Sequence, residues 1–266
     1  MADDSTTLRK GAPGAIGSYA ALGDSFTEGV GDPAPDGTFI GWADRLAALL
    51  GSRSPDGGFR YANLAVRGKL LDQIVEDQLP RAVDLAPDLV TFCAGGNDIL
   101  RPGSDPDDVA ERLEAAVARL SPEVGTVLLC TGFDTRGTPV LRHLRGKIAT
   151  YTAHVRAIAD RHRCPVLDLW SLRSVQDRRA WSDDRLHLSP EGHTRVALRA
   201  AQVLGIDVPS DPDEAWPEPA VRPASEVRRE NLRWGREHLV PWIGRRLRGE
   251  SSGDHVVAKR PDLLPL

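Results

Sequence analysis

The chain has 266 residues, 41% of them hydrophobic and 27% charged, with a formal net charge of −4. That is enough for one substantial core with an appendage, and the slight negative charge offers no general pull on nucleic acid. No apolar stretch approaches the roughly 20 residues needed to cross a bilayer.

Taken in chain order, residues 1–15 read as a flexible segment. Their acidic, polar start, Met-Ala-Asp-Asp-Ser-Thr-Thr, lacks the basic and apolar regions of a signal peptide. Apolar runs predict strands at 18–22, 59–64, 89–94, 126–130 and 165–169. Helix-period stretches at 39–50, 70–83, 106–120 and 139–162 alternate with them. A further helix fits 190–204, where Ser189 is the N-cap and Pro190 takes the first helical position. This alternation implies βαβ units, hence an α/β three-layer sandwich with a central parallel sheet covered on both faces. Near-continuous apolar strands such as Thr126-Val-Leu-Leu-Cys130 suit that burial. Cys93, Cys130 and Cys164 are odd in number and lie in or beside these strands, so they read as core thiols of a cytoplasmic protein.

From Ile206 the composition changes. Eight of the twenty prolines and three of the six tryptophans fall in the last 61 residues, so 206–266 reads as a separate Pro/Arg-rich extension. It comprises an extended connector over 209–223 and a helix over 225–240 stopped by Pro241. On that helix Val227, Leu232, Trp234, Leu239 and Val240 form an apolar stripe. The stripe and Trp242 are expected to dock on the core. The competing expectation is an interfacial helix, whose arginines would contact anionic lipid.

Ligands of such a sheet sit at the carboxyl ends of its strands. Ser25 follows the break at Leu22-Gly23-Asp24, and Gly95-Gly96-Asn97-Asp98 follows the apolar run ending at Ala94. Far downstream, Asp184-Arg-Leu-His187 sets a carboxylate three residues before an imidazole. A serine hydroxyl is a poor nucleophile at neutral pH and needs a base. His187 can take that proton, and Asp184 can fix the imidazole tautomer. His193 is the nearest rival, but it lies inside a predicted helix and reads as structural. Gly23-x-Ser25-x-Thr27 lacks the second glycine of the G-x-S-x-G elbow. There is no H-x-x-x-H metal motif and no phosphate-binding glycine loop.

On these residues, the chain resembles the SGNH hydrolases, the GDSL-type lipases and esterases, over residues 16–205. Four blocks match in order: Gly23-Asp24-Ser25 with Phe26-Thr27-Glu28-Gly29, then Asn63-Leu-Ala-Val-Arg-Gly68, then Gly95-Gly96-Asn97-Asp98, then Asp184-Arg-Leu-His187. The resemblance implies a flavodoxin-like sheet and a serine esterase with Ser25, His187 and Asp184 as its triad. It implies an oxyanion hole formed by the Ser25 and Gly68 N–H groups and the Asn97 amide. Asp24 and Asp98 would buttress the loops, and neither metal nor cofactor would be needed. The partner would be a small-molecule ester, with no nucleic acid and membrane contact only through the extension. Two other outcomes stay open: transfer of the acyl group to an acceptor alcohol, and a non-catalytic binding module. Phe26, Ile99, Leu100, Trp181 and Leu188 are candidates for an acyl pocket, and Arg67 for a substrate anion.

Overall fold

The computed structural model describes all residues except 1–15, 55–56, 139–140, 220–221, 242–243 and 245–252. The expected N-terminal segment, the predicted helix start at Pro139, and Trp242 lie outside the described residues. In chain order the elements are β1 (Ser18–Gly23), the single turn α1 (Ser25–Glu28), α2 (Trp42–Gly51), β2 (Arg60–Asn63), α3 (Leu71–Asp77) and α4 (Leu79–Leu85). There follow β3 (Leu89–Cys93), the turn α5 (Gly96–Ile99), α6 (Pro106–Leu120), β4 (Thr126–Cys130), α7 (Arg145–His162), β5 (Val166–Leu167) and α8 (Pro190–Val203). The tail supplies α9 (Ala224–Trp234) and β6 (Arg260–Pro265).

The sheet order is β5-β4-β3-β1-β2-β6. Its first five strands are parallel and reproduce the doubly wound order 2-1-3-4-5, whose switch point lies between β1 and β3. Successive residues of β1 feed opposite layers. Ala20 and Leu22 pack with Leu113 and Val117 of α6 and Val155 of α7. Tyr19 and Ala21 pack with Trp42 and Leu46 of α2 and Val196 and Ala200 of α8. Both faces are buried, as the uninterrupted apolar strands require.

Three expectations are corrected. The helix predicted over 70–83 is two helices that meet at Gln78. Pro80 lacks an N–H and crowds the preceding turn, so it sits in the first turn of α4 instead of inside one long helix. The sheet is not wholly parallel: β6 pairs antiparallel with β2, and this strand was not predicted because Pro261 and Pro265 interrupt it. At the sheet edge, where ladder donors are not all needed, such a strand is tolerated. Finally, the apolar stripe of the tail helix seats only in part: Trp234 and Leu239 are half-buried, while Val227, Leu232 and Val240 are exposed. Leu232 is 65% exposed and Val240 63%. The tail attaches instead through the β6 ladder, through Ile206 and Trp216, which pack on the core, and through individual polar contacts. Lys259 Nζ donates to the carbonyls of Glu28 and Phe39 at 2.6 and 2.7 Å. The Trp216 indole N–H donates to the Ser174 carbonyl at 2.7 Å.

Candidate active site

β1 ends at Gly23, where a Cβ would lie 2.7 Å from the Cys93 carbonyl of β3. The bare backbone allows that approach. Asp24 then caps α1, its carboxylate accepting from the Phe26 N–H at 3.1 Å. Ser25 is thereby the first helical residue, and N–H groups of a first turn have no acceptor within the helix. Among the described residues, the Ser25 N–H donates to no acceptor. The buried Gln78 amide closes the far side of the turn. It donates to the Gly23 carbonyl and accepts from the Gly23 N–H, both at 2.9 Å.

The segment 180–189 folds back on itself. Ser189 N–H donates to the Ala180 carbonyl at 2.9 Å, and Ser182 N–H to the His187 carbonyl at 2.8 Å. Within this loop one Asp184 oxygen accepts from Leu186 N–H, His187 N–H and the Ser182 hydroxyl at 2.9, 3.0 and 2.7 Å. The other lies 2.6 Å from His187 Nδ1. Burial alone would raise the Asp184 pKa. The His187 hydrogen bond and charge outweigh it and hold the carboxyl well below its ordinary range. An ionised carboxylate only accepts, so Nδ1 carries the proton and Nε2 presents a lone pair. That Nε2 is 3.0 Å from Ser25 Oγ. The three residues singled out in the sequence therefore stand in one line.

Asn97, in the turn α5 that follows β3, faces the Ser25 turn. Its Nδ2 donates to Asp24 Oδ2 at 2.9 Å and to the Lys69 carbonyl at 3.1 Å. Burial pushes the Asp24 carboxyl up to about 6, against the Phe26 and Asn97 hydrogen bonds. Asp98 turns away from the serine and accepts from the Leu71 N–H at 2.9 Å, which fixes the start of α3. Gly68 has φ +76, a left-handed backbone that suits glycine. It is not among the residues lining the cleft.

Ser25 and His187 open onto a cavity of about 210 Å³. Phe26, Ile99, Leu100, Phe133, Ile148 and Trp181 line it, so its wall is mainly apolar. Phe133 meets Phe26 and Trp181 edge-on, with centroids 5.2 and 5.0 Å apart. Leu188, the remaining acyl-pocket candidate, is instead fully buried in the core. Arg67 does not line the cleft. It pairs with the buried Glu28 carboxylate, which also accepts the Arg67 N–H at 2.7 Å, and this binds α1 to the Gly68 loop. His193 has a structural part. Its Nδ1 accepts from Trp42 N–H at 3.1 Å, so Nε2 carries the proton and donates to the Val30 carbonyl at 3.3 Å. Burial depresses its pKa to about 3.

Gln78, Glu28 and Trp234 were missed in the sequence. Glu28 alone carried a signal, as a charged residue inside the nucleophile block. Gln78 and Trp234 act on backbone groups, and nothing in their own neighbourhood announces it.

These features agree with what the chain is similar to. It belongs to the GDSL-like lipase/acylhydrolase family, whose model matches residues 21–195. It is thus an SGNH-type serine hydrolase of carboxylic esters. No curated protein matches the chain. Among solved structures, LAE5, an alpha/beta hydrolase enzyme from the metagenome of Lake Arreo, Spain, is 24% identical with a TM-score of 0.62, over 73% of this chain and 98% of that one. Axe2, an acetylxylan esterase from Geobacillus stearothermophilus, is 22% identical with a TM-score of 0.59, over 73% and 96%. At such identity the likeness is one of fold.

Proposed function

We propose that the protein hydrolyses esters of apolar acyl groups through an acyl-Ser25 intermediate. His187 Nε2 takes the Ser25 proton as Oγ attacks the carbonyl carbon. The resulting oxyanion is held by the Ser25 N–H and by Asn97, which both line the cleft, with the Gly68 N–H as the third donor that the family resemblance implies. For Asn97 this means exchanging its bond to the Lys69 carbonyl for one to the oxyanion. His187 then returns the proton to the leaving alcohol, and water repeats the sequence to release the acid. The observation that carries this reading is the chain Oγ to Nε2 at 3.0 Å and Nδ1 to Asp184 at 2.6 Å, opening on an apolar cavity. Further support comes from Axe2, where substitutions at a serine, an aspartate and a histidine three residues beyond it are described as catalytic mutants.

An apolar wall rewards each methylene of the acyl chain by up to about 0.8 kcal/mol, roughly fourfold in kcat/KM, while the chain fits. A panel of p-nitrophenyl esters run beside O-acetylated xylooligosaccharides tests this. Rates are expected to rise from acetyl to mid-length chains. A preference for the acetylated sugars would overturn the acyl assignment. Product analysis with an added alcohol in the same assay distinguishes hydrolysis from transfer.

A further inference from the structure

The family match ends at residue 195, yet α9 of the tail reaches the catalytic loop. Trp234, its last residue, donates its indole N–H to the Asp184 carbonyl at 2.9 Å. The Trp234 ring lies against the Arg185 guanidinium, with Cζ 4.8 Å from the ring centroid. Arg185 Nη1 donates to Asn231 Oδ1 at 2.7 Å, and Nη2 approaches Glu230 at 3.5 Å. Glu230 is itself held by Arg222 at 2.8 Å. Among the described residues, every hydrogen bond and ring contact of the Arg185 side chain goes to α9.

Arg185 sits between the two catalytic-loop residues with φ +59. A residue bearing a side chain adopts that left-handed conformation only against steric cost. The turn from Asp184 to His187 therefore carries a steric cost that its internal hydrogen bonds offset, and α9 adds contacts from outside the loop. The helix buries no residue of its own, so core formation does not explain its placement. Arg185 and Leu186 also line the cleft, so the same contacts fix one of its walls.

We propose that α9 is a positioning element of the active site. Trp234 and Asn231 act through the Asp184 backbone and Arg185 to keep the turn aimed so that Nε2 faces Ser25. Reacting groups must be held closely for this chemistry, and a misplacement of about 1 Å costs up to about a hundredfold in rate. The inference rests on the reading of Ser25 as the nucleophile.

The test is the rate at which a fluorophosphonate labels Ser25 in the full chain, with kcat and KM measured alongside. Trp234→Phe keeps the ring on Arg185 and removes only the N–H. Trp216→Phe is the matched control, deleting the indole bond of another tail residue to the Ser174 carbonyl of the core. Trp234→Phe is expected to slow labelling and lower kcat by about three- to thirtyfold with KM within about twofold. Trp216→Phe lowers the melting temperature and leaves the labelling rate unchanged. Asn231→Ala slows labelling as well, and Asn231→Asp, which keeps an acceptor for Arg185, restores it. Wild-type labelling rates in both Trp234→Phe and Asn231→Ala would overturn the proposal, as would equal slowing in Trp216→Phe. Absence of labelling in the wild-type protein would instead refute the nucleophile reading beneath it.

Discussion

Residues 16–205 and the tail are held by different physics. In the first region apolar burial dominates: β1 is buried along its whole length, and Trp42, Leu46, Val117 and Val155 are closed to solvent. In the tail, α9 has no fully buried residue, and attachment runs through the β6 ladder, through Ile206 and Trp216 packed on the core, and through directional bonds made by Trp216, Trp234 and Lys259. Burial is non-directional and sets where strands end. Hydrogen bonds are directional and can hold the loops that those strands carry. The core therefore places the catalytic groups, and the tail steadies the loops that bear them.

That division is broken most severely at the triad. Ser25→Ala and His187→Ala should each lower kcat by about 10⁴–10⁶, while melting temperatures stay at the wild-type value because neither side chain supports the core. Steady-state kinetics and thermal melts on the same samples check both halves. Asn97→Ala comes next, with a loss of roughly 10²–10³ in kcat and little change in KM, since it removes a donor to developing charge. An effect confined to KM would make Asn97 a ground-state binding residue.

Two buried groups of the core make its stability depend on pH. The folded-state pKa of Asp24 is raised to about 6, so its stabilising contribution is complete below about 4 and is lost as pH rises through about 6. At most about 3 kcal/mol is involved, and Asp24→Asn should remove that slope from urea melts taken across pH. His193 behaves in the opposite sense. Its folded-state pKa is depressed to about 3, so its contribution is present above about 6.5 and is lost as pH falls toward about 3. His193→Ala should cost about 1–3 kcal/mol near neutral pH, because the Trp42 N–H loses its acceptor, and should spare activity. The smallest effect belongs to the tail. Lys259→Met should cost about 1–2 kcal/mol in a thermal melt, with kcat within about twofold of wild type.

The line of Ser25, His187 and Asp184 was legible because the chemistry of an activated serine dictates these residue types and the three-residue offset of Asp184 and His187. The first five strands and the start of α6 and α8 were legible for local reasons: continuous apolar runs, and Asp105-Pro106 and Ser189-Pro190 as caps. What escaped was decided by distant partners. β6 carries two prolines and is a strand only because β2 offers a free edge. The α3–α4 break was available in Pro80, yet the use of Gln78 to bind Gly23 depends on a residue 55 positions away. Nor did periodicity on α9 reveal its seating, because Trp234 docks by its N–H while Val227, Leu232 and Val240 stay exposed.

Whether Ser25 is a nucleophile activated by His187 is read from intact-protein mass spectrometry after fluorophosphonate treatment. A single adduct is expected on the wild-type chain, mapped to Ser25, absent in Ser25→Ala and formed far more slowly in His187→Ala. An adduct of equal yield on Ser25→Ala, or one mapped to another residue, would contradict that role.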